Sequence, residues 1–211
     1  MPGKIDFIAA GLTVALVFFW WTVAYVIKKK FPENDYLKEV ARKLVHIGVS
    51  NFAFLYLYMF ETWYMPFAGL LAFTVVNLFI ELKTGSRRSM GTVQYPLVIA
   101  FIVLMVHLGF GTKESCAAAL LGMGYGDGLA ALVGLGFGGM KLPGSKKKTF
   151  TGSIVMFFAV LLVCIIITGR PLFLCIFTAL AATLAEAYTP FGLDNISVPI
   201  VIWIMTGLIN V

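Results

Sequence analysis

The chain of 211 residues is 60% apolar and only 12% charged, about half the charged share of an ordinary soluble domain. That excludes a water-soluble enzyme, and apolar runs of bilayer-crossing length use up nearly the whole sequence, leaving one membrane domain over residues 1–211 and no room for a second. The formal net charge of +6 sits beside those runs, where basic residues mark cytosolic loops and anionic headgroups, so nucleic acid is not an expected partner.

The predicted spans are Ile5–Ile27, Leu44–Phe60, Tyr64–Leu82, Val93–Gly109, Ser115–Phe137, Gly152–Thr168, Pro171–Ala187 and Val198–Val211. They describe an all-α, polytopic transmembrane bundle of about eight crossings, with seven as the alternative because the last run is short. The first run is too long for a signal-peptide core and lacks a small-residue cleavage site, so it is expected to be retained in a chain that begins at Met1.

After the first span, Asn34-Asp35 precedes Tyr36, Leu37 and Val40 at helical spacing. This predicts a capped amphipathic helix along the headgroups, running into span two. Arg42, Lys43 and His46 follow at i, i+1 and i+4, so one helical face presents two cations and an imidazole, which suits a phosphate. Snorkelling cations and a hydrogen-bonded histidine are the structural alternative. In span three, Asn77 and Glu81 at i and i+4 are expected to share a polar face, and His107, near the outer side in span four, reads as structural.

Span five contains Gly122-Met-Gly-Tyr-Gly-Asp127-Gly128, whose alternating glycines predict a weakened helix that opens or lets a ligand approach closely. Asp127 is a candidate Mg²⁺ ligand there, because hard cations take carboxylate oxygens. Gly126, Ala130, Gly134 and Gly138 form an i+4 stripe of small residues, the usual surface for close helix packing in lipid. The loop Lys141–Ser153 sets a lysine cluster and three hydroxyls before a helix start, where lysines and helix-start amides can hold a polyphosphate. A plain cytosolic anchor is the alternative, and the loop is not the Gly-x-x-x-x-Gly-Lys-Ser/Thr phosphate loop. Glu186 ends span seven, and Asp194 is expected in the loop after it. Cys116, Cys164 and Cys175 have no metal-like spacing and read as small core residues.

If all eight runs cross, every lysine and arginine among the 16 except Lys4, Lys113 and Arg170 falls on one side. By the positive-inside rule that side is cytosolic and both termini lie outside. His46, Glu81, Asp127, Glu186 and Asp194 all approach the cytosolic face, and ionisable groups in or beside spans tend to mark function.

Taken in order, five segments resemble the dolichol kinase, phytol kinase and yeast-type diacylglycerol kinase family (the polyprenol kinases), most of the chain being covered. They are Arg42-Lys43-Leu-Val-His46; Gly91-Thr-Val-Gln-Tyr-Pro-Leu97; Gly126-Asp127-Gly128-Leu-Ala130 continuing to Gly134 and Gly138; Lys148-Thr149-Phe-Thr-Gly152-Ser153; and Glu186 followed by Asp194-Asn195-Ile-Ser-Val-Pro199. The resemblance implies a CTP-dependent, Mg²⁺-requiring kinase that transfers the γ-phosphate to a membrane alcohol, whether polyprenol or dolichol, phytol or geranylgeraniol, or diacylglycerol. Under it, Asp127, Glu186 and Asp194 serve the metal. Arg42, Lys43, Lys146, Lys147 and Lys148 contact phosphates, and Gly126, Gly128, Thr149, Gly152 and Ser153 belong to the nucleotide site. Asp194 or His46 orients or deprotonates the alcohol, and Asn195 contacts the base. Thr151 stands where that family usually carries a glutamate. The glycine–aspartate segment and the lysine-rich loop also resemble the lipid cytidylyltransferases, which transfer a nucleotidyl group to a lipid phosphate, and a lipid transporter with a charged groove is a third reading.

Overall fold

The computed structural model describes residues 2–84, 90–143 and 148–208. Helix α1 (Lys4–Lys30) ends on Lys28, Lys29 and Lys30, cations that complement the negative end of the helix dipole. Its start is tied down by Asp6, whose Oδ2 accepts from the Gly3 amide at 3.0 Å. Oδ1 of the same residue accepts from the amides of Glu61 and Thr62 at 3.0 and 3.1 Å. Asn34 caps α2 (Asp35–Ser50), accepting from Leu37 N at 3.0 Å, as its position before an amphipathic run predicts.

The amphipathic helix and the beginning of span two are one element. The run Leu44–Phe60 then divides at Asn51, and α3 (Phe52–Tyr58) follows as a separate helix. The Asn51 amide donates to the carbonyls of Ile47 and Gly48 at 3.2 and 3.1 Å, so a side chain takes carbonyls that a continuing helix would use.

The remaining helices are α4 (Tyr64–Thr84), α5 (Met90–His107), α6 (Lys113–Phe137), α7 (Phe150–Thr168), α8 (Leu172–Tyr188) and α9 (Asp194–Trp203), with a wider turn carrying α9 on to Leu208. The last helix begins at Asp194 rather than Val198, which moves Asp194 from the expected loop into a first helical turn. Residues 209–211 of the expected last span lie outside the described residues. By length and composition α1, α4, α6 and α7 suffice to cross a membrane, while α5, α8 and α9 are shorter apolar helices. The described residues contain no strand, only a bridge between Lys141 and Thr149. The protein is a helical membrane bundle whose apolar side chains, such as Phe18, Phe19, Phe158 and Ile166, lie exposed where lipid would cover them.

Helix α6 is the buried axis of the bundle. It runs without interruption from Lys113 to Phe137, so the glycines around Asp127 do not open the backbone. Residues two apart on a helix face nearly opposite ways and residues four apart face the same way. An ideal Cβ on Gly124 would stand 2.3 Å from Ser50 Cβ, and one on Gly128 2.3 Å from Ile47 Cγ1, both on α2. One on Gly122 would meet Ile202 of α9 at 2.7 Å, and one on Gly126 would meet Met156 of α7 at 2.4 Å. The alternation therefore lets α2 close on one side of α6 and α7 and α9 on the other. Within the small-residue stripe Gly134 packs in the same way, an ideal Cβ standing 3.1 Å from Thr149 Oγ1, whereas Gly138 lies past the helix end at positive φ with nothing within 4 Å of such a Cβ.

Gly124→Ala should push α2 off α6, because Ser50 Cβ is fixed to its own backbone and cannot give way. We expect a loss of about 1–3 kcal/mol, the usual cost of overpacking. Thermal unfolding in detergent measures it, with Gly136→Ala as control, since a methyl there meets nothing nearer than Tyr36 Oη at 3.8 Å. Equal melting temperatures for the two variants would refute the close-packing argument.

Candidate active site

Closing α2 onto α6 brings Lys43 and His46 to Asp127. Lys43 Nζ donates to Asp127 Oδ2 at 2.5 Å, with the two side chains only 6% and 8% exposed. Burying such a pair costs desolvation that only good geometry offsets, so the site is built at some expense to stability. His46 Nε2 stands 3.8 Å from the same carboxylate oxygen and is buried with no hydrogen-bond partner among the described residues. The imidazole packs against Tyr95 of α5, ring centroids 4.5 Å apart, and the Tyr95 hydroxyl donates to Leu120 O on α6 at 2.5 Å.

The other half of the site comes from the loop between α6 and α7. Its base is pinned by Leu142 N donating to Lys148 O and Phe150 N donating to Met140 O, each at 3.0 Å. Thr149 caps α7, accepting from Gly152 N at 3.1 Å. Lys148 thus leaves a fixed backbone, and its Nζ donates to Glu186 Oε1 and, at 3.1 Å, to Asp194 Oδ2. Glu186 is buried in the last turn of α8. Asp194 occupies the first turn of α9, where the helix dipole favours a carboxylate. One oxygen from each of Asp127, Glu186 and Asp194 lies within 4.8 Å of the other two.

Burial pushes the pKa of Lys148 down, but Glu186, Asp194 and Asp127 together push it further up, above the ordinary lysine value. The stability this contributes is fully present below the unfolded pKa of about 10.4 and fades only as pH rises through the raised folded value. Across neutral pH the ammonium stays charged.

Not every residue singled out by sequence reaches this cluster. Arg42 does not join Lys43 and His46: it grips Glu39 on its own helix through Nε at 2.9 Å and a second nitrogen at 2.5 Å. Asn77 and Glu81 lie four apart on α4, as their spacing implies, with Asn77 Nδ2 donating to Phe73 O at 2.8 Å and Glu81 accepting from Thr92 Oγ1 at 2.7 Å. Asn195 Nδ2 is 3.2 Å from Asp194 Oδ1 and lies against Gly91. Gly126 and Gly128 face α7 and α2, and an ideal Cβ on Gly152 would stand 3.1 Å from Ala130 O. Ser153 Oγ is buried with no partner among the described residues. Thr151 turns its hydroxyl to Gly139, 2.6 Å from where a Cβ would stand on that positive-φ residue. Lys146 and Lys147 lie outside the described residues. His107 stacks on Trp63 at 4.1 Å, the structural role expected of it.

Sequence reasoning missed the ion pairing. Lys148 was one of three adjacent lysines, and nothing local distinguished it as the one held by two carboxylates. Carboxylate oxygens from three helices are the donor type that a hard divalent cation takes, and Lys43 and Lys148 set two ammonium groups against them.

No family model and no solved structure matches the chain. Among curated proteins it is 30% identical over 177 residues to a phytol kinase of Synechocystis, covering 77% of this chain and 76% of that protein. It is 29% identical over 192 residues to a probable chloroplastic phytol kinase 2 of Glycine max, covering 82% and 66% of the two chains. Against a probable chloroplastic phytol kinase 3 of the same plant it is 31% identical over 135 residues, 56% of this chain but only 42% of that longer protein. With the Synechocystis relative matched over three-quarters of both lengths, the chain belongs to the polyprenol and phytol kinase family.

Proposed function

We propose that the protein phosphorylates a long-chain membrane alcohol with CTP and Mg²⁺ at the cytosolic surface of its membrane. The observation that carries this reading is the convergence of Asp127, Glu186 and Asp194 with Lys43 and Lys148 at one end of the bundle. The donor set fits Mg²⁺: three carboxylates from separate helices, each able to offer an oxygen to a hard cation. Asp127, Glu186 and Asp194 would hold the metal, which when bound neutralises charge on the triphosphate.

The chain's own residues supply the rest. Lys43 and Lys148, which neutralise carboxylates of the cluster, exchange them for phosphate oxygens when nucleotide arrives. Phosphoryl transfer needs mainly positioning and charge neutralisation, so no covalent intermediate with the protein is required. The alcohol oxygen bonds to the γ-phosphorus, the bond from that phosphorus to the bridging oxygen breaks, and CDP leaves. The hydroxyl proton passes to His46 Nε2, which is buried with no hydrogen-bond partner among the described residues, rather than to Asp194, which would hold the metal.

Product identification tests the proposal. The purified protein is incubated with CTP or ATP and a panel of lipid alcohols and lipid phosphates. CDP with a lipid phosphate is the expected outcome. Pyrophosphate release from a lipid phosphate would indicate cytidylyl transfer, and no turnover with any donor would favour transport.

The charge asymmetry supports the cytosolic assignment and carries its own prediction. A cysteine placed at Ser145 should react with an impermeant thiol reagent only from the cytosolic side. Background is low because Cys116, Cys164 and Cys175 are buried. Labelling from outside in intact cells would invert the active face.

A further inference from the structure

We infer that the groove between α4, α5 and α9 holds the hydrocarbon chain of the lipid alcohol, with Gln94 receiving its hydroxyl. The inference rests on the kinase reading and names the place where the acceptor sits.

The groove measures 430 Å³ and is lined on one side by Gln94, Leu97, Phe101 and Leu104, a single face of α5. Phe67 and Leu71 of α4 and Ile196 and Ile200 of α9 complete it. Apart from Gln94 these are hydrocarbon side chains. From Gln94 to Leu104 the helix rises about 15 Å at about 1.5 Å per residue, half of a hydrocarbon core about 30 Å thick. A chain entering at the polar end therefore reaches the depth of one leaflet.

The two ends differ chemically. Asn195, whose Nδ2 is 3.2 Å from Asp194 Oδ1, packs on Gly91, one turn before Gln94, and Tyr95, the next residue, packs against His46 beside Asp127. The Gln94 end therefore opens beside the carboxylate cluster. There, Gln94 Oε1 is buried with no hydrogen-bond partner among the described residues. A buried acceptor of this kind calls for a donor, and an alcohol hydroxyl at the head of an apolar chain supplies one as it binds, before its proton passes to His46, while its tail fills the groove. A charged headgroup fits less well, because among the described residues no cation lines the cavity.

Photolabelling of the full chain in lipid nanodiscs, with CTP and Mg²⁺ present, reads the orientation directly. The probes are two long-chain isoprenoid alcohols, one carrying a diazirine next to the hydroxyl and the other at the far end. The first should label peptides containing Gln94 or Ile196, and the second those containing Phe101 or Leu104. In parallel, Leu97→Trp should raise the KM for the alcohol about tenfold while the KM for CTP and kcat hold, the signature of lost ground-state room for one substrate. Gln94→Leu should lower kcat/KM for the alcohol about tenfold, the cost of one lost hydrogen bond to the substrate. Turnover with wild-type kinetics in both variants, or labelling spread over lipid-exposed residues such as Phe158, would overturn the groove and leave the kinase reading standing. Directional labelling without turnover from any donor would keep the groove and remove the kinase.

Discussion

Asp127→Asn is expected to lower turnover by about 10²–10³-fold, the scale set by removing one preorganised electrostatic group from a site. The substitution keeps the shape but removes the charge that both Lys43 and a divalent cation require. It also leaves the Lys43 ammonium buried without its counter-charge, 4% exposed, and losing one partner of such a pair costs on the order of 3–5 kcal/mol. A fall in activity by itself would therefore be ambiguous. The double variant Lys43→Met with Asp127→Asn separates the causes, since methionine fills similar space without a charge to strand. It should melt close to the parent protein and remain inactive. Measurable turnover near the parent rate in Asp127→Asn, at any Mg²⁺ concentration, would take Asp127 out of the chemistry and leave it as a packing partner for α2.

Lys148→Met should reduce kcat by about ten- to a hundredfold, the equivalent of roughly 1.5–3 kcal/mol for one charge-assisted contact made in the transition state. The same variant should need less Mg²⁺ for its half-maximal rate. In the parent protein Lys148 occupies Glu186 and Asp194, so under the proposed function a metal would have to displace an ammonium already bonded to two of its proposed ligands. With methionine the three carboxylates are left mutually repelling within 4.8 Å, and a divalent cation relieves that repulsion directly. A lower rate and a lower Mg²⁺ requirement together are the signature of a lysine that trades carboxylates for phosphates. A variant that loses rate with an unchanged or increased Mg²⁺ requirement would mean that Lys148 supports the metal rather than competing with it.

Much of the fold was legible before any coordinates. In lipid every backbone polar group must be satisfied within the chain, so apolar runs of sufficient length read directly as helices. Asn34 as a cap, α6 and α7 as long spans, and the packing use of Gly126 and Gly134 are all local properties, and all appear as expected. The errors were also local in origin. The sequence reads span two as continuous because Asn51 is one polar residue in an apolar run, and its competition for the carbonyls of Ile47 and Gly48 depends on side-chain geometry. Helix propensity alone makes the glycines around Asp127 a weak point. Neighbouring helices overrode propensity by packing into the space the glycines leave.

The amino-acid sequence by itself determined that this is a helical membrane protein, and it singled out His46, Glu81, Asp127, Glu186 and Asp194 as ionisable groups approaching one face. It did so because burying ionisable groups in an apolar chain is expensive, and their presence is a local signal. Only the tertiary structure decided which of them work together. Lys43 finds Asp127 across 84 residues, while Lys148 finds Glu186 across 38 and Asp194 across 46. Arg42, next in line to Lys43, points elsewhere and bonds Glu39. Neighbours on a helix differ by about 100° in direction, so adjacent residues can face a buried site and the surface, and the packing of α2 against α6 settles which is which.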